Sequence, residues 1–198
     1  MNFLTIINLN KPSFIPLPKF SLILKTIFLS RKINNTALPW TPNNDKYIWL
    51  SRSTFSLALI AKLRSLKNNN NQINVFIPDY YCNEALTLLR KEKVKIYFYQ
   101  IDSDFQPCKQ SIKYLLDSAI PDIIIQAHYF GKPSNISFLR SISDKYNSWL
   151  IEDSTHAILP SKGIGEKGDF ILYSQYKHFP IPEGSLLVFR NKSILHKQ

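Results

Sequence analysis

Short apolar runs alternate with helical stretches between about residue 47 and residue 153, and this alternation restricts the fold more than any other feature. Some of the runs, such as Ile123-Ile124-Ile125 and Trp149-Leu150-Ile151, are apolar at every position. A strand covered by helices on both faces has this pattern, whereas a strand with one wet face alternates apolar and polar residues. The sequence therefore predicts an α/β fold with a mainly parallel sheet and right-handed crossovers.

The individual elements follow from composition and periodicity. Helices are expected at 55–66, 83–90, 111–116 and 135–146, and strands at 75–77, 94–101, 122–127 and 149–153. Two further β runs, at 170–174 and 185–189, are joined by a proline-rich loop.

Residues 1–46 have a different character. Five prolines interrupt this segment, and its one apolar stretch, residues 20–29, can form a helix. We therefore expect an N-terminal arm at 1–46, laid on a larger domain at 47–198.

The net charge of +11 raises the question of a polyanionic partner, because clustered Lys and Arg neutralise phosphates. The basic residues are scattered, however, and the densest run, residues 90–95, is explained by a solvated surface. No apolar run approaches the roughly 20 residues that span a bilayer. We expect neither a nucleic-acid nor a membrane partner. Cys82 and Cys108 lack the spacing of a zinc site or a disulfide framework, which favours a reducing, cytoplasmic location.

Polar side chains follow three of the predicted strands, where an open α/β sheet binds its ligand. They are His128, Asp153, and Ser174 with Lys177. A histidine in this place is often only a structural hydrogen-bonding residue. Asp153 directly follows Glu152, and because neighbours on a strand point to opposite faces, only one of the two carboxylates faces the site.

Lys177 follows a buried strand and has aromatic and proline neighbours, and a lysine desolvated in this way can be neutral near pH 7. A neutral lysine can form a Schiff base with an aldehyde. Pyridoxal 5′-phosphate (PLP) needs such a lysine, a carboxylate for its ring nitrogen and a phosphate cradle. The candidates are Lys177, Asp153 and, for the phosphate, Ser174 with Ser53 and Thr54 at a predicted helix start.

Alternatives remain open from these residues alone. A lone lysine is usually a solvated charge, and a carboxylate after a strand is often a helix cap. A nucleotide-binding module without PLP would need a glycine-rich loop after its first strand, and residues 77–81 contain no glycine.

Five stretches of the sequence resemble one known family. They are Ser51-Arg52-Ser53-Thr54, Phe76-Ile77-Pro78-Asp79-Tyr80-Tyr81, Ala127-His128-Tyr129-Phe130-Gly131, Ile151-Glu152-Asp153-Ser154-Thr155-His156-Ala157, and the segment from Gly168 through Lys177 to Ser185. From about Tyr47 to Phe189 the chain resembles the DegT/DnrJ/EryC1/StrS group of PLP-dependent aminotransferases. The resemblance implies the three-layer α/β/α large domain of the PLP-dependent transferase fold.

The resemblance also implies roles for single residues. Lys177 looks like the lysine that binds the cofactor, and Asp153 looks like the partner of the ring nitrogen. Three hydroxyl side chains look like phosphate contacts: Ser53, Thr54 and Ser174.

Two further positions of the resemblance concern the cofactor ring. His156 stands where the family often has Gln, near the phenolic oxygen of the cofactor. An aromatic residue commonly covers the ring, and Tyr81 is the candidate here, although Cys82 stands in the usual stacking register.

The resemblance implies transfer of an amino group from a small-molecule donor such as glutamate to a keto-sugar nucleotide, in polysaccharide or secondary-metabolite biosynthesis. Members of this family are usually homodimers with the active site at the subunit interface. They are also usually longer and end in a small domain, so we expect that domain to be absent here or supplied by a second chain. The alternative is a truncated, catalytically inert relative that binds PLP or a partner chain.

Overall fold

A computed structural model of the chain describes residues 20–21, 24–25, 36–43, 45–69 and 71–190. The four described residues of the expected 20–29 helix are helical, and the rest of that prediction lies outside this part of the chain. The strands and longer helices are β1 (Lys46–Leu50), α1 (Ser53–Lys67), β2 (Ile73–Pro78), β3 (Val94–Tyr99), α2 (Lys109–Ser118), β4 (Ile123–Ala127), α3 (Ser137–Tyr146), β5 (Trp149–Asp153), β6 (Phe170–Tyr173) and β7 (Ser185–Phe189).

All of these strands form one sheet in the order β1-β7-β6-β5-β4-β2-β3. The pairs from β6 to β3 are parallel, whereas β7 is antiparallel to both β6 and β1. The prediction of a mainly parallel α/β sheet is therefore confirmed. The two closely spaced β runs near the end of the chain form its antiparallel pair.

Helices cover both faces of the sheet. On one face α1 packs against alternate strand residues such as Val75 and Ile123, and on the other face α2 and α3 pack against their neighbours Phe76 and Ile124. Each position of these strands therefore meets a core, which is why the runs are apolar without alternation. Among the described residues, no helix is long and apolar enough to cross a membrane.

The helix predicted at 83–90 is wrong. Two 3₁₀ turns, Glu84–Leu86 and Leu89–Lys91, occupy this segment. Its buried residues Leu86 and Leu89 are three positions apart, and a 3₁₀ turn places such residues on one side. Strand β1 was also not anticipated from the sequence.

The described part of the segment before β1 packs onto the body of the fold. The ring of Trp40 makes edge contacts with Trp49 and Phe179 at 6.1 and 6.2 Å between ring centroids. The Trp40 indole N–H also donates to the carbonyl of Ile158 at 2.8 Å. The division into an arm and a domain remains a prediction.

Candidate active site

A cavity of about 550 Å³ opens beyond the carboxyl ends of the parallel strands. Its lining comes from segments that follow β1, β2, β4, β5 and β6: residues 52–54, 80–82 with 84–85, 127–130, 153 with 155–156, and 176–177. These segments are far apart in the chain, and the parallel strands bring their ends to one edge of the sheet.

Most of the residues predicted for the site line this cavity: Lys177, Asp153, His156, Ser53, Thr54 and Tyr81. Ser174 does not line it. This serine is buried at the end of β6, and its hydroxyl has no hydrogen-bond partner among the described residues. A phosphate contact from Ser174 stays a prediction.

Asp153 lines the cavity and Glu152 does not, as the alternation along a strand requires. One oxygen of Asp153 accepts the backbone N–H of Thr155 at 3.0 Å, and the other accepts the hydroxyl of Tyr81. Burial raises the pKa of Tyr81, and the nearby Asp153 carboxylate raises it further. The phenol therefore stays protonated and donates.

Lys177 reaches the cavity from the 3₁₀ turn Gln175–Lys177, which begins two residues after the end of β6. Its ammonium nitrogen Nζ lies 3.2 Å from Oγ1 of Thr155. Thr155 thus contacts both Lys177 and Asp153, and sequence reasoning missed it as a site residue. The available signal was its place two residues after Asp153, where a backbone N–H commonly binds an aspartate side chain.

Glu152 lies in a closed network on the other face of β5. His128 Nδ1 accepts the N–H of Ser134 at 3.1 Å, which leaves Nε2 to donate to Glu152 at 2.8 Å. The same carboxylate accepts the backbone N–H groups of Gly165, Lys167 and Gly168. Burial acts to raise the pKa of Glu152, but the His128 and backbone hydrogen bonds outweigh it and the pKa is lowered. These buried contacts are those that the structural interpretation of His128 predicts.

His156 lines the cavity with its ring stacked on Phe130, 6.2 Å between centroids. Its Nδ1 accepts the N–H of Phe130 at 3.3 Å, so the proton of the neutral ring is on Nε2. Partial burial lowers the pKa of His156, and the nearby Lys177 charge lowers it further. The ring is therefore uncharged at neutral pH.

The start of α1 has the features of an anion site. Its first turn carries no acidic residue, and the Thr54 hydroxyl is buried without a partner among the described residues. Arg52, just before the helix, lies over the ring of Tyr176 at 4.2 Å. Free N–H groups and the helix dipole add positive potential at this end. A phosphate fits this cradle, which lies in the same cavity as Lys177 and Asp153.

A mainly parallel sheet with a lysine, a carboxylate and an anion cradle at its strand ends fits the class of PLP-dependent aminotransferases. Within that class, the model of the DegT/DnrJ/EryC1/StrS aminotransferase family matches residues 53–198, and the chain belongs to this family. Family membership implies pyridoxal 5′-phosphate as the cofactor.

Solved structures of similar fold include Helicobacter pylori PseC, an aminotransferase involved in the biosynthesis of pseudoaminic acid, with a TM-score of 0.70 and 14% identity over 92% of this chain and 53% of that one. The putative sugar aminotransferase Spr1654 from Streptococcus pneumoniae has a TM-score of 0.70 and 16% identity over 92% and 53%. A DegT DnrJ EryC1 StrS aminotransferase from Brucella abortus has a TM-score of 0.68 and 15% identity over 88% and 51%. These identities show the fold alone, and the chain spans about half the length of these structures.

Proposed function

We propose that this chain is the cofactor-binding part of a PLP-dependent aminotransferase in which Lys177 binds the cofactor covalently. The proposal rests on a series of hydrogen bonds in the cavity that connects Lys177 to Asp153 through Thr155. Lys177 contacts Thr155, whose backbone N–H holds Asp153. The anion cradle of α1 lines the same cavity, so the three groups that PLP requires face a single space.

When bound, PLP supplies an electron-withdrawing ring that eases removal of a proton from the carbon beside an amino group. Asp153 would hold the ring nitrogen protonated. Ser53, Thr54 and the first N–H groups of α1 would bind the phosphate, with Ser174 as a further predicted contact. Nζ of Lys177 would then take the proton from the substrate carbon that bears the amino group and give it up to the adjoining cofactor carbon, acting first as general base and then as general acid.

His156 would orient the cofactor ring through its phenolic oxygen, whereas Asp153 would hold the ring nitrogen. Because Nδ1 accepts the Phe130 N–H, the protonated Nε2 is left as a donor for the phenolic oxygen of the cofactor. A neutral imidazole suits this role, since it donates without placing a second cation beside Lys177. The lowered pKa of His156 supports this assignment.

The finer identity of the reaction rests on the family. We propose glutamate or a similar amino acid as the amino donor, a keto-sugar nucleotide as the acceptor, and a cytoplasmic location. We also propose that the chain forms a homodimer. Light scattering of the purified protein measures this assembly, and a monomer at micromolar concentration would contradict it.

The decisive experiment concerns Lys177. Purified protein incubated with PLP should show an absorbance band that borohydride bleaches, and peptide mapping should find the reduced adduct on Lys177. A Lys177→Ala variant should lose the reducible band. Lys162→Ala, which changes an exposed lysine, should keep it. A Lys177→Ala protein with the same adduct would overturn the assignment.

Turnover needs a separate measurement. Addition of glutamate to the PLP-loaded protein should convert the bound cofactor to its amine form, with the matching change in absorbance. Protein that binds PLP through Lys177 but never makes this conversion would be the catalytically inert relative.

A further inference from the structure

Tyr81 and Asp153 are 72 residues apart in the chain and meet in the cavity, where the tyrosine hydroxyl donates to Oδ2 of the carboxylate. The other oxygen, Oδ1, already accepts the Thr155 N–H. Both oxygens of Asp153 therefore have donors from the chain itself. Under the proposed function, on which this inference rests, a ring N–H of the cofactor has to approach the same carboxylate.

The tyrosine presents Asp153 with the same chemistry as the cofactor ring. A protonated pyridine is a flat aromatic ring with one N–H donor in its plane, and a phenol is a flat aromatic ring with one O–H donor. Because burial raises the pKa of Tyr81 and Asp153 raises it further, the phenol keeps its proton over the whole working range of pH. The contact therefore does not open by ionisation of Tyr81.

Tyr81 packs partly against the core beneath α1, but its backbone lies outside the helices and strands. Its segment is irregular, between the end of β2 and the 3₁₀ turn at Glu84–Leu86, and the neighbouring residues Tyr80 and Cys82 are exposed. No sheet ladder or helix holds the backbone at position 81. The N–H donor on Oδ1, by contrast, belongs to the backbone of the turn after β5 and cannot leave without distorting that turn.

We propose that Tyr81 is a built-in competitor of the cofactor: its hydroxyl takes the hydrogen-bonding position at Asp153 that the ring nitrogen of PLP needs, and PLP binds only as the side chain of Tyr81 leaves Asp153. The apparent affinity for PLP is reduced by the fraction of molecules in which Asp153 is free. Hydrogen bonds to a charged group are strong enough to make this reduction about tenfold or more.

The test is a titration of cofactor-free protein with PLP, followed by absorbance, for the native chain and for Tyr81→Phe. The phenylalanine keeps the ring and removes only the donor, so the dissociation constant should fall about tenfold. Tyr129→Phe is the matched control. Its hydroxyl belongs to the same cavity but donates to the carbonyl of Tyr80 at 2.6 Å, so its removal should not tighten PLP binding.

A second measurement follows the tyrosine itself. Fluorotyrosine placed at position 81 should show a change in its ¹⁹F resonance as PLP fills the site, because the ring leaves the carboxylate. Equal or weaker PLP binding by Tyr81→Phe, or a ¹⁹F resonance that PLP does not move, overturns the inference while the Lys177 adduct still supports the proposed function. Absence of PLP binding by all variants overturns both.

Discussion

Glu152 and Asp153 are neighbours on β5, yet their carboxylates lie in regions of opposite character. Glu152 is completely buried and accepts hydrogen bonds from His128 and three backbone N–H groups. Asp153 lines the cavity and accepts one backbone N–H and one side-chain hydroxyl. The comparison teaches that the kind of donor, rather than the acid itself, separates a structural carboxylate from one that is available to a ligand.

The physical difference lies in how easily each donor can be withdrawn. The donors of Glu152 come largely from the turn at 165–168, whose Gly165 has a φ of +74°. Such donors move only when the turn unfolds. The Tyr81 hydroxyl at Asp153 belongs to a side chain, and its withdrawal does not require a backbone turn to unfold.

The largest expected effect is a difference in stability between two variants, in each of which one of these carboxylates is replaced by its amide. Glu152→Gln presents an amide N–H₂ to groups that are themselves donors, so it should lower the free energy of unfolding by about 3 kcal/mol. Asp153→Asn keeps an oxygen for the Thr155 N–H, and the Tyr81 hydroxyl can turn to accept the new amide N–H, so this variant should cost no more than about 1 kcal/mol. Urea unfolding of both variants measures the difference, and equal losses would contradict the contrast.

The stability difference between the native chain and Glu152→Gln should depend on pH, because the pKa of Glu152 is lowered in the folded state. A carboxylate with a lowered pKa in the folded state stabilises the fold above its unfolded pKa, near the ordinary value of 4.5, and loses that contribution as pH falls through the folded pKa. The gap in stability between the native chain and Glu152→Gln should therefore narrow on acidification. A constant gap would show that the charge of Glu152 is not responsible.

A smaller effect is expected from Gly168→Ala, which disturbs the turn that holds Glu152. The added Cβ would lie 2.7 Å from the carbonyl oxygen of Phe170 and 3.0 Å from Cγ of Glu152. The turn has to shift, at a cost of about 1–3 kcal/mol in the free energy of unfolding. Lys162→Ala, an exposed change, should stay within about 0.5 kcal/mol as the control. Unchanged stability of Gly168→Ala would show that the turn is not tightly held.

The smallest expected effect is a shift in the pKa of His156, which lines the cavity with Asp153. Its NMR titration should give a pKa below the ordinary 6.5, because partial burial and the Lys177 charge both disfavour the protonated ring. Lys177→Met should move the pKa of His156 upward. Since the unfolded chain takes up this proton first, acidification below about 6.5 should cost a little stability. An equal pKa of His156 in the native chain and in Lys177→Met would show that the two side chains are not close enough to interact.

Much of the fold was predictable because its strands and helices have recognisable local patterns of apolar and polar residues. The unbroken apolar run of β4 follows from its cover on both faces, and the position of Lys177 just after a strand placed it at the ligand edge. The segment at 83–90 was mispredicted as a helix, because two leucines three residues apart suit either a helix or 3₁₀ turns. Strand β1 was missed because only its pairing with β7 makes it a strand.

By itself, the sequence determined a mainly parallel α/β sheet, the strand ends that carry polar residues, and the family resemblance that named Lys177 and Asp153. The tertiary structure places Asp153 rather than Glu152 at the cavity, and it alone decided that Thr155 connects Asp153 to Lys177 and that Tyr81 contacts Asp153. Side chains alternate along a strand, so two neighbouring residues face opposite sides of the sheet. The packing of the whole sheet decides which of these sides faces the cavity. Contacts between residues far apart in the chain exist only after that packing has formed.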